Sequence, residues 1–261
     1  IILVDQNPIG RSPRSNPATY LKIFDAIRSV FADTVDARTR GFTPGHFSFN
    51  SEQGQCPHCR GEGMLQIDMQ FLADVYMTCD ACGGTRYRDE ILEVTYRGRN
   101  IAEVLQMTAR EALVFFRGQG LVQSKLRRLI DVGLDYLRLG QPANTLSGGE
   151  AQRLKLAAYT SSSHRGRCLF ILDEPTTGLH FNDIVHLLDC FDTLLGLGHS
   201  LIVVEHNLQV MKAADYIIDM GPGAGEAGGQ IIFEGTPEEL AHCPDSITGR
   251  FLAQAFADRP A

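Results

Sequence analysis

Leu169-Phe170-Ile171-Leu172 is an unbroken apolar run that ends on two adjacent carboxylates, Asp173 and Glu174. Strands buried on both faces of a largely parallel sheet read this way, and open α/β sheets place their ligands at the carboxyl ends of such strands. A second run, Leu201-Ile202-Val203-Val204, ends on Glu205-His206. Both strands are therefore expected to deliver polar groups at one sheet edge. An acidic turn after a core strand would explain Asp173-Glu174 alone. Taken with the second strand, the residue types suit phosphate chemistry: Asp173 to hold Mg²⁺, Glu174 to polarise an attacking water, and a neutral His206 to contact a terminal phosphate.

Upstream, LSGGE spans 146–150. Ser147 and Glu150 form the spacing of a capping box, which any helix can use. Gly148 and Gly149 in the first turn are less ordinary, because they cost helix stability and remove every side chain. The bare helix start exposes N–H groups and the positive dipole end to an anion such as phosphate.

A different chemistry is written at Cys56-x-x-Cys59 and Cys79-x-x-Cys82, nineteen residues apart. One such pair could be a redox dithiol; two at this spacing suit a four-cysteine zinc site. Glycines follow each pair and let backbone N–H groups turn toward the thiolates. Between the pairs, residues 64–77 are expected to form a β-hairpin, whose loop carries Asp68 and Asp74. Ahead of the first pair, His46-Phe47-Ser48-Phe49 alternates and predicts a short strand.

Charge adds a boundary. The 261 residues have a net charge of −7, yet residues 1–140 carry 17 Lys/Arg against 16 Asp/Glu while the remainder carries 7 against 15. The acidity belongs to the carboxyl-terminal part, and any nucleic-acid contact falls to local basic clusters in the first part. Seven cysteines, an odd number with four in paired spacing, argue for metal ligation in a reducing compartment, and the cytoplasm is the expected location. No apolar run has the length of a membrane span.

Along the chain, Asn16-Pro17 predicts a helix start, with Tyr20, Ile23, Phe24, Ile27, Val30 and Phe31 on one face. Thr108 and Glu111 form another capping box. A basic run, Lys125-x-Arg127-Arg128, lies on a further helix. Residues 215–220 and 229–235 read as strands, and Thr236-Pro237 as a helix start.

The order and wording of LSGGE, CLFILDEP (168–175), TTGLH (176–180) and IVVEH (202–206) resemble the second ATPase half of the UvrA family, the DNA-damage-sensing subunit of bacterial excinucleases. DQNPIGRSPRSNPATY (5–20) resembles the place where that family's ATPase core leads into an inserted domain. The resemblance covers nearly the whole chain.

It implies an α/β fold, a partial ABC-type ATPase lobe with an inserted, mainly helical signature domain bearing a four-cysteine zinc module at 56–82. The implied domains are 1–10 for a core strand and glutamine loop, 11–140 for the insert, and 141–261 for the carboxyl-terminal ATPase subdomain. Gln6 is implied to approach Mg²⁺ and the attacking water. Ser147, Gly148, Gly149, Glu150, Gly178 and His180 are implied to face nucleotide. Lys125, Arg127 and Arg128 are candidate DNA contacts; Arg11 and Arg14 are either DNA-facing or solvated. Implied partners are lesion-bearing double-stranded DNA, UvrB and a second UvrA, with no membrane.

No G-x-x-x-x-G-K-[ST] occurs in the chain. The sequence therefore reads as part of something longer, expected to hydrolyse ATP with Mg²⁺ only within a full protein. Two other readings stand beside this one: a UvrA-like paralogue of the drug-resistance type, and a non-hydrolysing fragment that binds zinc and DNA.

Overall fold

The computed structural model describes every residue except 6, 8, 11, 68–74, 161–165, 222, 224–227 and 258–261. Gln6, Arg11, Asp68 and Asp74 lie outside the described residues. The described strands are β1 (Ile2–Val4), β2 (Met64–Ile67), β3 (Val75–Thr78), β4 (Leu169–Asp173), β5 (Ser200–Val204), β6 (Ile217–Gly221) and β7 (Gln230–Gly235). Two compact units contain them. One joins Ile1–Asp5 to Arg167–Ala261, and the other is Gln6–Gly166.

In the first unit, β1, β4 and β5 form a parallel sheet in the order β1-β4-β5, and the register places Leu3, Ile171 and Ile202 side by side. Helix Phe181–Gly196 connects β4 to β5. Phe170 and Leu172 are buried, as are Leu187, Cys190 and Leu194 at helical spacing on that helix. The opposite face differs from the sequence expectation of burial on both sides: Leu3 is 66% exposed and Ile202 50%. Within the run, Phe170 and Leu172 are buried while Leu169 and Ile171 stay partly exposed, so it is dry on a single face.

β6 and β7 pair antiparallel. Asp219 on β6 accepts hydrogen bonds from Ser246 Oγ (2.5 Å) and Thr248 Oγ1 (3.0 Å), fixing the start of helix Ile247–Ala257. Both strands and the short helix Pro237–Leu240 fall where the sequence put them.

The second unit is mainly helical. Asn16 caps helix Pro17–Tyr20 in a reciprocal box with Thr19, as expected. The helix does not run on to Phe31. Lys22 adopts a left-handed φ of 55° and a second helix, Ile23–Ala32, begins after it.

No strand forms at 46–49. Successive turns, with His46 N donating to Thr43 O and Ser48 N to Gly45 O, carry both phenylalanines inward. Phe47 packs on Phe31, and Phe49 on Phe24 and Tyr87. The alternation reflected two buried rings on a coiled segment, a pattern that side-chain burial alone produces without a partner strand.

Candidate functional site

The cysteine pairs meet. The sulfurs of Cys56, Cys59, Cys79 and Cys82 all lie within 4.8 Å of one another, and each residue is at most 7% exposed. Tight turns bring them there. Gly61 takes a φ of +82°, and a Cβ on it would stand 1.8 Å from Phe49 O; Gly63 takes +77° and its N–H donates to Cys59 Sγ at 3.2 Å. Cys79 N donates to Gly63 O and Cys56 N to Arg86 O, so each pair is tied to the backbone beside the other. β2 and β3 form the expected hairpin between them.

Burial pushes the Cys59 thiol up to about 12, and burial also raises Cys82. Burial pushes Cys79 the same way, but hydrogen bonds from the Cys82 N–H and thiol, from the Ala81 N–H and from the Cys59 thiol together outweigh it and hold that thiol below its ordinary value. A bound cation would stabilise the thiolates that burial opposes. A tetrahedral ion about 2.3 Å from each sulfur sets neighbouring sulfurs about 3.8 Å apart. Cys59 and Cys82 stand at 3.7 Å. The donor set and its spacing fit a tetrahedral metal ion.

The LSGGE segment forms the start of helix Gly148–Ala157. Ser147 Oγ accepts from Glu150 N (3.2 Å) while Glu150 Oε2 accepts from Ser147 N (2.7 Å). Two residues not foreseen from sequence brace this cap. Tyr136 donates its hydroxyl to Glu150 Oε1 at 2.8 Å, and Arg153, 2% exposed, donates to Gly133 O at 3.3 Å and reaches Tyr136 Oη at 3.5 Å. These residues belong to the mainly helical unit.

In the other unit, Asp173 ends β4 opposite Val204, and Glu174 N donates to Val204 O at 2.8 Å. Glu174 has a left-handed φ of 43°. Non-glycine residues are rarely held there except where the surroundings over-determine them, often at functional sites. Its Oε1 lies 3.9 Å from His206 Nδ1, with the two side chains 53% and 75% exposed. The strand ends thus bring a carboxylate and an imidazole into one open group. Gly178, at φ +74°, completes the turn after Glu174, and His180 N bonds Asp183 at the start of helix Phe181–Gly196.

Glu205 was not singled out as a site residue from sequence. Its Oε1 accepts from Thr176 N (2.8 Å) and Thr176 Oγ1 (2.5 Å); its Oε2 accepts from His206 N (2.7 Å) and Asn207 N (2.9 Å). Burial alone would raise this carboxyl, but the hydrogen bonds from Thr176, Asn207 and His206 win and hold it below the ordinary carboxylate range. Such a set links residues 29 apart, which local sequence pattern does not reveal.

The basic residues are largely engaged. Lys125 Nζ donates to Lys22 O at 2.7 Å, leaving Arg127 the most exposed of Lys125, Arg127 and Arg128. Arg14 pairs with Glu62 at 3.1 Å, Arg97 donates to the carbonyls of Phe115 and Arg117, and Arg99 pairs with Glu103. Among the described residues no helix is long and apolar enough to cross a membrane.

No family model matches the chain. Individual proteins do. UvrABC system protein A of Aquifex aeolicus is 55% identical over 252 residues, 97% of this chain and 27% of that protein. The protein of the same name from Methanothermobacter thermautotrophicus is 57% identical over 258 residues, 99% of this chain and 27% of that one. The crystal structure of UvrA2 from Deinococcus radiodurans superposes with a TM-score of 0.90 at 50% identity, covering 97% of this chain and 31% of that chain. The chain spans about a quarter of the length of the curated relatives it matches.

Proposed function

The chain belongs to the UvrA family, and from that premise we propose that it serves as the carboxyl-terminal ATPase part, with inserted signature domain, of the damage-recognition subunit in bacterial nucleotide excision repair. In this reading it couples ATP binding and hydrolysis to lesion sensing in double-stranded DNA and to loading of UvrB, acting as a UvrA dimer in the cytoplasm. The observation that carries the reading is the Glu174–His206 pair at the carboxyl ends of parallel strands, beside Asp173.

Glu174 orients and polarises the attacking water, and His206 contacts the terminal phosphate. Asp173 would hold Mg²⁺, which when bound neutralises charge on the phosphate oxygens. The resemblance assigns Gln6 to the same Mg²⁺ and attacking water. Gly178 and His180 face nucleotide, and the N–H groups of Gly148 and Gly149 with the Ser147 hydroxyl receive phosphate, while Glu150 holds the cap through the Ser147 N–H. Cys56, Cys59, Cys79 and Cys82 would hold one Zn²⁺, which supplies a fixed cross-link between two turns. Arg127, with Arg128 and Lys125, supports DNA contact. The inserted domain extends over 11–140 and the ATPase subdomain over 141–261. With no phosphate-loop motif in its sequence, the chain alone is expected not to turn over ATP.

The test is a full-length UvrA-family protein carrying this chain's sequence, assayed for ATP-dependent preference for a lesion-bearing duplex over an intact one and for repair in cells lacking the native subunit. Preference and complementation are expected. ATP turnover without either would favour a UvrA-like paralogue outside repair.

A further inference from the structure

We propose that Glu205 is a positioning residue that locks the turn after β4 to the end of β5 and so holds Glu174 and His206 in register for ATP hydrolysis; this rests on the ATPase reading above.

Three observations carry it. Thr176, two residues after Glu174, gives both its N–H and its hydroxyl to Glu205 Oε1. His206 and Asn207 give their N–H groups to Glu205 Oε2. One carboxylate therefore fastens the two chain segments that carry the 3.9 Å pair. Glu174 itself sits at φ 43°, a conformation that persists where neighbouring contacts fix it. Glu174 N on Val204 O and Thr177 Oγ1 on Glu174 Oε2 supply part of that restraint, and the Glu205 clasp closes it on the other side.

The chemistry demands a carboxylate. Three of the four partners are backbone N–H groups, one at Oε1 and two at Oε2, so both oxygens must accept. A glutamine offers one acceptor oxygen, and whichever way its amide is turned the NH₂ meets at least one backbone N–H, that of Thr176 on one side or those of His206 and Asn207 on the other. An aspartate, one methylene shorter, does not span the same gap. No contact with substrate is required of Glu205; its effect passes through Glu174 and His206.

In a full-length UvrA-family protein carrying this chain's sequence, Glu205→Gln is expected to lower kcat for ATP about 10- to 100-fold with KM changed less than about 3-fold, as for a misaligned reacting group. Thr176→Val, a milder change in case Glu205→Gln disturbs folding, should lower kcat several-fold, and Thr176→Ser should restore most of that loss. The double variant Glu205→Gln/Thr176→Val should be no slower than Glu205→Gln, because both act through one link. Hydrogen exchange at the amides of Thr176, His206 and Asn207 should quicken in Glu205→Gln without change in β4.

Unchanged kcat in Glu205→Gln, equal losses in the valine and serine variants, or multiplying losses in the double variant would overturn the proposal. If the unsubstituted protein hydrolyses no ATP, the ATPase reading falls and the positioning role falls with it. Intact turnover in both it and Glu205→Gln removes only the role of Glu205.

Discussion

The four cysteines and the Glu174–His206 pair each join segments distant in sequence, but the cysteines do so with residues at most 7% exposed and the pair with side chains 53% and 75% exposed. The cysteine module is closed by its own turns. Its glycines, its hairpin and its backbone hydrogen bonds all come from residues 49–86. The strand-end group is open, carries backbone strain at Glu174 and depends on hydrogen bonds between residues about thirty apart. A metal module has to exclude water from its thiolates, whereas a site that admits and releases nucleotide has to remain accessible.

The sharpest way to break the contrast is to open the closed site. Under the proposed zinc assignment, atomic absorption should give one zinc per chain for the parent and a substoichiometric, readily chelated amount for Cys79→Ser. Structural zinc contributes apparent binding free energies of about 10–16 kcal/mol, so residues 56–82 should lose their order as well. Retention of stoichiometric, equally tight zinc would show that Cys79 is not one of its ligands.

A smaller disturbance tests whether the turns themselves close the module. Gly61→Ala forces a Cβ into the left-handed region and against Phe49 O. It should cost about 2–3 kcal/mol, read as a lowered denaturation midpoint. An unchanged midpoint would mean that the close approach of Gly61 to Phe49 is not what shapes the turn.

The smallest effect is expected on the signature cap. Tyr136→Phe removes one hydrogen bond to Glu150 and should cost about 0.5–1.5 kcal/mol, visible as faster amide exchange at Ser147. Equal exchange before and after would show that Ser147 and Glu150 hold the cap unaided.

Sequence pattern revealed most where the physics is local. The cap at Asn16 and the boxes at Thr108 and Ser147 depend on residues three positions apart, and all are present; the antiparallel pairing of β2 with β3 was announced by the cysteine pairs that flank it. It failed where a pattern had two physical causes: the Phe47/Phe49 alternation came from burial of both rings in a turning segment, and the run at 169–172 kept one face partly open. The left-handed Lys22, which ends one helix and starts another, has no glycine or proline to announce it. Glu205, Tyr136 and Arg153 were illegible as site residues for a different reason. Their importance lies in partners 14 to 29 residues away, and only the folded chain brings those partners within hydrogen-bond distance.

Glu174 is the residue proposed to activate the attacking water, and its removal leaves the other strand-end groups in place. In the full-length protein, Glu174→Gln should still bind ATP, with affinity within a few-fold of the parent, while steady-state hydrolysis drops about 10²- to 10⁴-fold. Hydrolysis at the parent rate would contradict the assignment of the strand-end pair as the site of ATP cleavage.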